Sequence, residues 1–184
     1  MAETAAFSIS LISVVSILVL GAMSKCLKEL QFFPPPSRGR WQHWLFKLLF
    51  RGFVYPLAVL SILVFEFTSG PMAIARYAVG GALFVIGFGL AFTITFSMGW
   101  RNAFGERQGL KTDGWFARSR NPVYVVTWIG LAGWGLLVMD TSVSILLSLW
   151  ALMYLLAPAV EEPWLEQQYG DDYRNYKAAV PRFF

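Results

Sequence analysis

An all-α polytopic membrane protein is the fold class this sequence predicts, with five transmembrane helices, an amino terminus outside and amphipathic carboxyl-terminal helices on the cytoplasmic face. Three observations predict it. Of 184 residues, 57% are hydrophobic and 14% are charged, a balance outside the range of soluble globular domains. The apolar residues gather in five runs of a length suited to crossing about 30 Å of hydrocarbon. Of the 15 Lys and Arg residues, all but Arg76 fall in alternate connections and the tail, which the positive-inside rule assigns to the cytoplasm. The whole chain is expected as a single membrane domain, with residues 1–99 a three-span scaffold and residues 100–184 the half that carries the chemistry.

The first span runs from Ala5 to Ser24. A cleaved secretory signal needs a basic flank, and here the only charge before the run is Glu3, so the run is expected as a retained span. Lys25, Lys28 and Glu29 end it, and Pro34 to Pro36 followed by S-R-G-R cannot be helical, because proline lacks the amide donor and pushes the preceding residue extended. Trp41 to Arg51 reads as an interfacial turn with Lys47 and Arg51 at the headgroups, and the second span as Gly52 to Phe67, kinked at Pro56. After a turn at Thr68 to Pro71, the third span covers Tyr77 to Met98. Its pairs Ala78/Ala82 and Gly87/Ala91 suit close helix packing. Trp100 to Asn121 is polar. The fourth span is expected from Pro122 to Met139, and Asp140 and Thr141 leave room only for a tight turn, so the fifth, Ser142 to Val160, returns antiparallel.

A sequence pI of 9.4 does not point to nucleic acid, because the basic residues are interleaved with spans rather than gathered in a stripe. One cysteine, Cys26, cannot form an intrachain disulfide, and one histidine, His43, excludes a multi-histidine metal site; no metal is expected.

Two polar segments remain for chemistry. In R-N-P-V-Y, residues 120–124, Pro122 stands in the first turn of a helix, where free amides and the helix dipole favour an anionic or carbonyl group. Asn121 adds a donor and an acceptor, and Arg120 can fork onto a carboxylate. The same residues also suit a plainer role, with Arg118 and Arg120 anchoring the span at the headgroups and Asn121 capping it. In the tail, Glu161 and Glu162 leave the fifth span together, Pro163 restarts a helix, and Leu165, Tyr169, Tyr173, Tyr176 and Val180 share one face of it. Gly170 is expected to break that helix, with Asp171 or Asp172 capping a second. An aromatic belt at the interface is the plainer reading, but two adjacent acids at the end of a span are costly and usually have a use. The hairpin of spans four and five puts both segments at one depth on one face.

L-x-T-x-G at Leu110, Thr112 and Gly114, R-N-P-x-Y at Arg120 to Tyr124, and E-E-x-x-L-x-x-x-Y-G-x-x-Y-x-x-Y-x-x-x-V-P-R-F from Glu161 to Phe183 together resemble the isoprenylcysteine carboxyl methyltransferase family and its bacterial relatives. The resemblance covers about the last eighty residues; the first three spans match only in hydrophobicity. It implies an integral membrane methyltransferase that uses S-adenosylmethionine, in a bacterial inner membrane or similar, with its site at the cytoplasmic face. By analogy Asn121, Pro122, Tyr124, Glu161, Glu162 and Leu165 surround the cofactor, and Tyr173 and Tyr176 help to close it in. Arg120 orients the acceptor, with Glu161 and Glu162 as further catalytic candidates. The family often has His where this chain has Asn121, which keeps a hydrogen-bonding group without a titratable one. The implied acceptor is a lipophilic or amphiphilic small molecule that enters from the bilayer. Two alternatives stand beside it: an NADPH-dependent membrane reductase of the sterol type, and a membrane assembly or transport protein without catalysis. Oligomeric state is open.

Overall fold

The computed structural model describes residues 1–27, 30–34, 40–99 and 109–184. Among them are five α-helices and no strand: α1 (Ala2–Cys26), α2 (Trp41–Leu63), α3 (Pro71–Met98), α4 (Pro122–Val138) and α5 (Thr141–Ala179), with a single 3-10 turn at Gly114–Ala117. Four of these are long and apolar enough to cross a membrane; α4, with 17 residues, stands at the lower limit for a span. Lys28, Glu29, residues 35–39 and residues 100–108, and with them the expected basic loop at Arg38 and the polar stretch holding Arg101, Glu106 and Arg107, lie outside the described residues.

Three expected boundaries are corrected. Trp41 to Arg51 is no separate interfacial turn but the first half of α2, which continues through Pro56 and stops at Leu63 instead of Phe67. The reason is packing: Phe46, Phe53, Leu57 and Leu60, spaced by seven, four and three, form one continuous buried stripe. Helix α3 starts at Pro71, six residues early, since proline in the first turn has no donor to lose. Pro163 does not restart a helix: α5 runs through Pro158 and Pro163 and is interrupted at Gly170, whose φ of 55° and ψ of −126° suit glycine alone.

Helices α1, α2 and α5 share one core, in which Val14, Phe53, Leu57 and Leu146 are fully buried and the Phe53 ring meets Trp150 edge-on at 5.3 Å. Ser10 Oγ donates to the Phe53 carbonyl at 3.0 Å, tying α1 to α2. Helices α3 and α4 meet along a seam of glycines. A Cβ on Gly87 would stand 2.1 Å from the Gly130 nitrogen, and one on Gly133 would stand 2.3 Å from the Phe84 nitrogen, so the two backbones touch. Of the two small-residue pairs expected to pack, Gly87/Ala91 is in this seam; Ala78 and Ala82 are exposed, because the buried face of α3 follows Gly80, Gly87, Ala91 and Ile94.

Arg76, in the second turn of α3, caps α4. Arg76 Nε donates to Leu136 O at 3.1 Å and its Nη2 to Leu137 O at 2.5 Å and Val138 O at 3.1 Å, serving the carbonyls that a helix end leaves free. Arg76→Gln is expected to remove about 1–2 kcal/mol of stability. Thermal unfolding in detergent checks this, and an unchanged midpoint would show the cap to be idle. Beyond α4, Met139 adopts a left-handed conformation and Asp140 Oδ1 accepts from Val143 N at 2.9 Å, which makes the expected tight turn into α5.

Candidate functional site

The turn at Asp140 sends α5 back along α4 and brings the start of one helix to the middle of the other. Arg120 Nη2 lies 2.9 Å from Glu162 Oε1, and the Tyr124 hydroxyl donates to Glu161 Oε1 at 2.5 Å, across 42 and 37 residues of sequence. Both pairs border a cavity of about 500 Å³. Its wall includes every residue expected from sequence: Arg120, Asn121, Pro122 and Tyr124 from the start of α4, and Glu161, Glu162, Leu165, Tyr173 and Tyr176 from α5.

The two adjacent acids have different surroundings. Glu162 is 4% exposed and holds a bidentate contact with Arg182, Nε to Oε1 and Nη2 to Oε2, both at 2.8 Å. With Arg120 on one side and Lys177 Nζ at 3.8 Å, it has three cations. Its hydrogen bonds hold the Arg182 guanidinium above even its ordinary high pKa, so the pair stays ionised. Glu161 is half-buried and accepts from Tyr124, whose ring lies 4.4 Å from that of Tyr154; no cation is paired with it among the described residues.

Arg120 is engaged with the protein itself. Besides Glu162, its Nη1 donates to Lys177 O at 2.7 Å and Val180 O at 3.1 Å, and its buried Nε has no hydrogen-bond partner among the described residues. Asn121 occupies the N-cap position of α4, yet its side chain makes no capping bond; its Nδ2 donates to Arg182 O at 3.0 Å. The tyrosine face does not lie along the interface as a belt. Tyr173 is 2% exposed, and Tyr176 donates to Phe116 O at 2.7 Å, packing this part of α5 against α3 and α4.

Sequence reasoning missed six residues, in three parts of the site. Arg182 was visible only as a letter in V-P-R-F. Tyr154 lies seven residues before Glu161, two helical turns along one face, a periodicity that could have flagged it. Phe46 and Phe50 of α2, with Ile17 and Gly21 of α1, close the apolar side of the cavity, and nothing in an apolar span distinguishes them from lipid-facing neighbours.

Comparison with known proteins adds one finding. A family model described as phospholipid methyltransferase matches residues 75–172, 98 of the 184 residues, from α3 to just beyond Gly170. No curated protein and no solved structure matches. The match contains the glycine seam, the Arg120–Tyr124 segment and both acids, and more than half the chain, so the protein belongs to the phospholipid methyltransferase family, the membrane methyltransferases of the isoprenylcysteine carboxyl methyltransferase type that its motifs resemble.

Proposed function

We propose that this chain is an integral membrane methyltransferase that takes its methyl group from S-adenosylmethionine and passes it to a lipophilic or amphiphilic acceptor arriving from the bilayer. The observation that carries this reading is the unequal pairing of the two acids. Glu162 is neutralised within the protein, whereas Glu161 offers a carboxylate, backed by the rings of Tyr124 and Tyr154, to the cavity. A carboxylate beside aromatic faces favours a cationic ligand.

The cavity fits such a cofactor. Its volume of about 500 Å³ is within the usual range for small-molecule sites, and Pro122, Leu165 and Tyr173 give it apolar wall against which a base can pack. Glu161 is suited to the ligand's positive charge and Asn121 to its polar edges, while Arg120 and Glu162, bound to each other, form the rigid back of the site. The cofactor, when bound, brings the activated methyl. What this chain does is hold two reactants in line and keep water out, and Phe46, Phe50 and Ile17 on the opposite wall suit the apolar part of an acceptor. Five spans, with α4 crossing alongside the four longer helices, and a cytoplasmic site complete the reading.

Calorimetric titration of the protein in detergent with S-adenosylmethionine, whose sulfonium carries the positive charge, and separately with NADPH, tests it. Saturable binding of the nucleoside and not of NADPH is expected. Glu161→Gln should weaken that binding by about 10–100-fold, the worth of a hydrogen-bonded charge. Wild-type affinity in Glu161→Gln would remove the carboxylate from the site, and binding of NADPH alone would make the protein a reductase.

A further inference from the structure

After α5 ends at Ala179, Val180 turns extended and residues 180–183 fold back across the start of α4 as a strap. Four hydrogen bonds fasten it to the segment 119–121. Arg120 N donates to Pro181 O at 3.0 Å, Arg120 Nη1 to Val180 O at 3.1 Å, Asn121 Nδ2 to Arg182 O at 3.0 Å and Ser119 Oγ to Arg182 O at 3.3 Å. Phe183 packs on the Trp128 ring at 5.0 Å, one to two turns further along α4. From the same strap the Arg182 side chain reaches Glu162 on α5 with both arms of its fork. One short segment therefore joins the two walls of the cavity's polar corner.

We propose that Arg182 is a positioning residue for the cofactor site, acting through Glu162 on the orientation of Glu161. Successive side chains on a helix are about 100° apart, so a fork that fixes Glu162 also fixes the direction in which Glu161 leaves α5. The backbone of the strap fixes Arg120 and Asn121 at the same time, and with them the entry of α4. Arg182 does not itself line the cavity but bonds to Glu162, which does, so its effect on the site is transmitted. This inference rests on the cofactor reading above and goes beyond it, because Arg182 lies outside the stretch matched by the family model.

The test compares wild type, Arg182→Met and Arg182→Lys. Arg182 is 45% exposed at its side chain, and Glu162 keeps Arg120 and Lys177, so both variants should fold. Affinity for S-adenosylmethionine, measured well below the unfolding midpoint of each variant, should fall about tenfold in Arg182→Met and only about two- to threefold in Arg182→Lys, which restores the charge without the fork. Amide exchange should speed up over residues 120–125 in Arg182→Met and stay unchanged in α1 and α2. Wild-type affinity in Arg182→Met, or a lysine variant as weak as the methionine one, overturns the proposal. Should wild type itself fail to bind the nucleoside, the cofactor reading fails; the positioning claim is then decided by exchange, upheld by faster exchange at 120–125 and overturned by none.

Discussion

Gly87→Ala is expected to cost about 3 kcal/mol or more of stability, while Gly89→Ala, two residues away on the same helix, is expected to be neutral or to stabilise by up to about 1 kcal/mol. The two glycines differ in what a methyl group would meet. At Gly87 it would come within 2.1 Å of the Gly130 nitrogen and 2.5 Å of its Cα, and those atoms belong to the backbone of α4, which cannot step aside as a flexible side chain does. At Gly89 nothing lies within 4 Å. Alanine there gains the ordinary helix preference over glycine. Thermal unfolding of both variants in the same detergent checks the pair, and equal midpoints would mean that α3 and α4 are not in backbone contact.

Glu162→Gln has the second largest expected effect. The carboxylate is 6% exposed at its side chain and the Arg120 guanidinium 9%, so removing the negative charge leaves Arg120 buried without its counter-ion. Breaking a buried pair costs about 3–5 kcal/mol, and the lower figure applies here because Arg182 and Lys177, at 45% and 39%, still reach water. Loss of about 3 kcal/mol is expected in a detergent unfolding experiment, together with weaker binding of S-adenosylmethionine. Glu161→Gln should weaken binding with little loss of stability, since no cation is left uncompensated by it. Equal stability losses in the two variants would erase the division of roles between the neighbouring acids.

That division was not legible in sequence, where Glu161 and Glu162 are equivalent letters. Their joint placement was. A turn as short as Asp140–Thr141 forces an antiparallel return, and once that is granted, residues 120–124 and 161–162 must face each other whatever the side chains do. Gly170 was equally readable, because a glycine inside an otherwise periodic helix marks a break in its backbone. Pro163, read as the restart of a helix, misled in the other direction, whereas Pro158 lay inside the expected fifth span. Proline ends a helix where nothing else holds the chain, but α5 is fixed on both sides, by Trp150 and Met153 in the core before Pro158 and by Tyr173 and Tyr176 after Pro163, and it passes through both. The seam between α3 and α4 was half visible. Gly87 and Ala91 were chosen correctly, while Ala78 and Ala82 show the same spacing on a face left exposed among the described residues, and spacing alone cannot tell which face a partner covers. The strap was out of reach, since contacts across some sixty residues leave no periodic trace.

The glycine seam has a consequence for how the molecule comes together. Helix α3 packs against α4 and α1 against α2, so each tight pairing joins neighbours in the chain, and α5 makes its contacts with all four after they have been synthesised. Loop closure for neighbouring helices is entropically cheap, and domains generally assemble as they emerge. Two hairpins can thus stand in the bilayer before the fifth helix arrives. The polar corner needs residues 120, 162 and 182 at once, so it cannot form until the chain has been made as far as Arg182, after both hairpins have emerged.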